Sequence, residues 1–92
     1  MYHIIYSHTY KKRARKIVRS GICPVEKIAF IIDLLHSGIP IPKVYYNHKL
    51  QGKYDGMYEL HIRPNLLLIY EKDESTKIIT LISLGSHPEL FG

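Results

Sequence analysis

A chain of 92 residues holds one small domain, residues 1–92, and no apolar run is longer than Leu66–Tyr70, far short of the roughly 20 residues of a membrane span. At 46% hydrophobic and 23% charged side chains the composition is that of a folded chain, and the net charge of +5 is unevenly spread. Residues 1–46 carry eight basic and two acidic side chains (+6), whereas residues 47–92 carry five and six (−1). The single cysteine, Cys23, excludes an internal disulfide and a zinc–cysteine cluster. With no secretory signal after Met1–Tyr6, a reducing cytoplasm is the expected compartment.

In chain order, Tyr2–Tyr6 is aromatic and β-branched, which predicts a strand. Ser7 is placed to cap a helix in which Tyr10, Ala14, Ile17 and Val18 form one apolar stripe, and Gly21 is placed to end it. Lys12, Arg15, Lys16 and Arg19 fall on the opposite face, and with Lys11 and Arg13 they make a basic surface without an acid. Such a field is what a polyanion such as RNA requires. A second helix is predicted with Pro24 at its first position, an apolar face from Val25 to Leu35, and Ser37-Gly38 at its end.

Ile39-Pro-Ile-Pro42 is expected to be extended, because each proline also restricts the residue before it. Residues 43–56, with Gly52 and Gly56, are expected to be a loop. Met57–Ile62 alternates, with Tyr58, Leu60 and Ile62 on one face and Glu59, His61 and Arg63 on the other. Pro64-Asn65 is a turn, Leu66–Tyr70 a buried strand, Asp73–Thr76 a polar turn and Lys77–Leu84 a further strand. Ser86-x-x-Glu89 is a capping box for a last helical turn. The order β-α-α-β-β-β predicts an α+β fold, two helices packed on one face of a small antiparallel sheet.

Four residues in the second half stand outside the predicted core: His48 in a basic loop, His61 on the polar strand face, Asn65 in the turn, and His87 after the last strand. The spacings of the three histidines fit no metal motif, so no metal and no cofactor is expected. They do suit metal-free RNA cleavage. That reaction needs a base for the 2′-hydroxyl proton, an acid for the leaving 5′-oxygen, and cations around the phosphate. Imidazole serves in either role near neutral pH. Lys49, Lys53 and Arg63 are candidates to hold the phosphate, and Phe91 or Tyr54 to stack on an unpaired base.

Three blocks, His48–Gly56, Glu59–Tyr70 and Leu84–Phe91, closely resemble the YafQ branch of the RelE-like toxins, ribonucleases of bacterial type II toxin–antitoxin modules. The resemblance implies a RelE-like fold, an mRNA-cleaving enzyme acting with the ribosome, and a cognate antitoxin that silences it. It places His48, His61, His87 and Phe91 in the RNA-cleaving site, with His87 as the general acid. Asn65 stands where the family usually has Asp, and Leu66 where YafQ has Trp. An amide is no general base, so proton abstraction falls to His61 or His48 while Asn65 is left to hydrogen-bond a nucleotide. Two other readings share the fold: a binding protein that no longer cleaves, and a ParE-like gyrase poison. The latter normally lacks such a histidine-rich site.

Overall fold

The computed structural model describes all residues, Met1–Gly92. The elements are β1 (His3–Tyr6), α1 (His8–Arg19), α2 (Val25–Ser37), β2 (His48–Lys49), β3 (Met57–Arg63), β4 (Leu66–Asp73), β5 (Ile78–Gly85) and α3 (His87–Phe91). Single 3₁₀ turns at Lys43–Tyr45 and Gly52–Tyr54 flank β2. No helix is long and apolar enough to cross a membrane.

The local signals work as expected. The Ser7 hydroxyl accepts from the Tyr10 amide and itself donates to the Ile82 carbonyl, so the cap of α1 is also its anchor to β5. Pro24 is the N-cap of α2 rather than its first helical residue. Gly38 closes α2 in the left-handed region (φ 78°), and Tyr2 packs 3.5 Å from where a Cβ would stand.

The sheet departs from the expectation in two places. Its order is β1-β5-β4-β3-β2, and β1 runs parallel to β5, so it is antiparallel only from β5 to β2. The helical excursion through α1 and α2 separates β1 from every other strand, which leaves it to pair at the far edge. Within the segment expected to be a loop, His48 and Lys49 form the short edge strand β2, paired with Glu59 and Tyr58 of β3.

Strand alternation divides the sheet into two unlike faces. Leu60, Ile62, Leu66, Leu68, Tyr70, Ile79, Leu81 and Leu84 join Tyr10, Ile17, Ile28, Ile31 and Leu35 of the helices in one core. Glu59, His61, Leu67 and Ile69 point to the other face. Register places His48, Glu59, Ile69 and Ser83 in one row across four strands, and His61, Leu67 and Gly85 in the next.

Candidate active site

The row of β2 and β3 supplies the first half of the site. Glu59 is 7% exposed, the one charged residue among those buried. Its Oε2 lies 3.2 Å from His48 Nε2 and 3.1 Å from His61 Nε2, so two imidazoles share one carboxylate oxygen. His48 Nδ1 donates to the Tyr46 carbonyl at 2.7 Å. Tyr46 ends the 3₁₀ turn in the left-handed region (φ 49°), where a non-glycine residue is strained. That backbone aims its carbonyl at His48, while its ring meets His61 edge-on with centroids 5.6 Å apart. Asn47 holds the segment down, donating to the Glu59 carbonyl (3.2 Å) and to the Tyr70 hydroxyl (2.6 Å). Burial pushes that tyrosine up to about 12, so it takes no part in proton transfer near neutral pH.

A cavity of about 680 Å³ opens beside this network, lined by Lys27, Tyr45, Tyr46, His48, His61 and Arg63 among others. A register shift between His61 and Arg63 bends the end of β3 there. Asn65 is exposed in the turn just beyond and makes no protein hydrogen bond.

The second half lies at the same end of the sheet. Gly85 pairs with Leu67, which pairs with His61, so the chain reaches α3 two strand spacings, about 10 Å, from His61. His87 opens α3 and is exposed, with its ring 4.8 Å from that of Phe91. Tyr54 meets Phe91 edge-on at 5.3 Å, and Lys53 Nζ lies 5.3 Å from the Tyr54 ring. The capping box is complete, Ser86 Oγ accepting from the Glu89 amide and Glu89 Oε1 from the Ser86 amide. Arg13 then clamps the turn: Nη2 is 2.7 Å from Glu89 Oε2, and Nε donates to the Leu84 carbonyl at 2.9 Å. The Arg13 guanidinium, with the Ser86 amide, holds the Glu89 carboxyl down at about 2.

The sequence-predicted residues thus fall into three places. His48, His61 and Arg63 line one cavity, while His87, Phe91, Tyr54 and Lys53 gather at α3. Lys12, Arg15, Lys16 and Arg19 form the exposed face of α1 with His8, Thr9 and Arg13, lining a shallow basic cavity of about 620 Å³. Lys49 is the exception. It alternates with His48 on β2, so it turns to the helix-side face, its Nζ 5.9 Å from the Tyr58 ring. Sequence reasoning missed Glu59 and Tyr46. The legible signal for the first was Glu59-x-His61, two residues that share a strand face.

The model of YafQ, described as a bacterial toxin of type II toxin–antitoxin system, matches residues 2–92. The chain belongs to the YafQ family. It is 32% identical over 90 residues to the mRNA interferase toxin YafQ of Escherichia coli (strain K12), covering 97% of this chain and 95% of that protein. YafQ in the E. coli DinJ–YafQ toxin–antitoxin complex superposes with a TM-score of 0.85 at 32% identity, over 99% of this chain and 98% of that one. A metal-bound toxin from Helicobacter pylori gives a TM-score of 0.90 at 30% identity, over 99% and 100% of the two chains. The YafQ-type arrangement of sheet and helices therefore extends over the whole chain.

Proposed function

We propose that this YafQ-family mRNA interferase cleaves RNA by metal-free general acid–base catalysis, in the cytoplasm, on the ribosome, and under the control of an antitoxin. One observation carries the reading: an imidazole pair on β2 and β3 and a third imidazole on α3 stand at one end of the sheet, with Arg63 and Lys53 beside them. An imidazole of the pair takes the 2′-hydroxyl proton, and the oxygen attacks the adjacent phosphorus. The 5′-oxygen leaves with a proton from His87, giving a 2′,3′-cyclic phosphate and a 5′-hydroxyl. Arg63 and Lys53 neutralise the phosphorane, Phe91 and Tyr54 offer ring faces to a base, and Asn65 is free to bond one. The basic face of α1, through Lys12, Arg15, Lys16 and Arg19, meets ribosomal RNA.

The antitoxin reading rests on the E. coli relative, solved in complex with DinJ, and on an apolar groove between α1 and α2. Ala14, Val18, Val25, Ile28 and Ile32 line it with Arg15 and Arg19 among them, which suits an acidic amphipathic segment that folds on binding. Co-expressed with the small protein encoded beside it, the toxin is expected to elute as one complex at moderate salt. Separate elution contradicts the pairing.

The metal bound to the H. pylori toxin favours a second reading. Here, however, the His48 and His61 Nε2 atoms are engaged by Glu59. Toxin stripped with a chelator and assayed on translating ribosomes in magnesium alone is expected to keep its activity. Recovery only on adding a transition metal favours the second reading.

A further inference from the structure

The geometry points to Glu59 as a positioning residue that separates the roles of the two histidines, making His61 the base through Nδ1 and leaving His48 no free ring nitrogen. This assignment rests on the acid–base reading above and on which atoms face which. Both ring nitrogens of His48 face acceptors: Nδ1 the Tyr46 carbonyl at 2.7 Å, Nε2 the Glu59 carboxylate at 3.2 Å. Donation from Nδ1 leaves Nε2 as the other ring nitrogen, and it is turned to the carboxylate rather than to RNA. With its side chain 52% exposed, the ring is placed to meet a phosphate from its edge.

His61 differs by one contact. Its Nε2 is held by the same carboxylate oxygen at 3.1 Å, but its Nδ1 makes no protein hydrogen bond. Donating from Nε2 leaves the lone pair on Nδ1, the one free basic nitrogen of the pair. The Tyr46 ring against one edge of the imidazole limits its rotation, and the shared carboxylate stabilises the imidazolium once Nδ1 has taken the 2′-hydroxyl proton. Glu59 itself is shielded behind the two rings and does not reach RNA.

The test is long-range proton–nitrogen NMR of the two imidazoles at neutral pH, in the wild type and in Glu59→Gln. In the wild type His61 is expected to show a protonated Nε2 and a bare Nδ1, and His48 a protonated Nδ1. In Glu59→Gln His61 is expected to populate both tautomers while His48 keeps its Nδ1 proton, with cleavage reduced about 10²-fold or more. Glu59→Asp, which keeps the charge, is expected to restore part of the wild-type pattern. A wild-type His61 protonated on Nδ1 overturns the assignment, and so does an unchanged tautomer pattern in Glu59→Gln. The stated pattern in a protein that cleaves no RNA supports the assignment and counts against the cleavage reading alone.

Discussion

The histidine pair stands on a sheet, whereas His87 stands on a five-residue helix at the end of the chain. The first half is fixed by strand pairing on both sides of β3, by a buried carboxylate and by the Asn47 hydrogen bonds. The second is fixed by its capping box, the ring contacts of Phe91 and a single ion pair from α1. A base needs a defined tautomer, which neighbouring acceptors impose. An acid that follows the leaving group needs exposure and a short tether. The construction teaches that the α3 half is the one that loosens first.

Removing the proposed acid gives the largest expected effect. His87→Ala is expected to lower cleavage by roughly 10²–10⁴-fold and to abolish growth inhibition, since that is what a positioned acid contributes. The thermal melt is expected to stay near wild type, because His87 is exposed and outside the core. A parallel loss of melting temperature assigns the defect to folding instead.

Changing Lys12, Arg15, Lys16 and Arg19 together to Gln probes neither half directly. Ribosome binding is expected to weaken, and the slope of log affinity against log salt to flatten by about three. Cleavage of a short free RNA is expected to change much less. Equal losses in both assays place these residues in the cleft or the fold.

The ion pair on α3 sharpens the comparison. Arg13→Gln and Glu89→Gln are each expected to lower cleavage about two- to fivefold, the scale of a partly exposed pair, and the double change to cost no more than either alone. Acid does the same reversibly. The Glu89 carboxyl sits at about 2 in the folded chain against an ordinary 4.5, so its contribution is complete above about 4.5 and fades as pH falls toward 2. Amide signals of α3 are expected to shift in that window before those of β3. Simultaneous shifts show that the two halves are not independent.

Asn65→Asp is expected to change least, leaving cleavage unaltered or modestly raised, because Asn65 is exposed and without a protein partner. A large gain identifies the carboxylate as the stronger base and removes that role from His61.

Local chemistry made much of this legible in the sequence. Ser7, Gly38 and the pair Ser86–Glu89 declare their helix ends because caps act within a few residues. Strand β2 and the parallel pairing of β1 were not legible, since each depends on a partner far along the chain. Lys49 reads as a phosphate-holding side chain for the same reason, as a loop has no alternation to say which side it faces. Glu59 read as a solvent-facing polar residue on β3. Only the cover laid over it by Tyr46 to His48 makes it a buried carboxylate. Arg13 belonged by sequence to the basic surface, yet it is the side chain that joins this surface to α3.

The end groups of the cleaved RNA test the central claim most directly, because they report the chemistry and not merely the loss of a message. Attack by the 2′-hydroxyl predicts fragments ending in a 2′,3′-cyclic phosphate with 5′-hydroxyl partners, formed on translating ribosomes by metal-stripped toxin. Fragments with 3′-hydroxyl and 5′-phosphate ends would mean that water was the nucleophile, and would contradict the assignment of base and acid to these imidazoles.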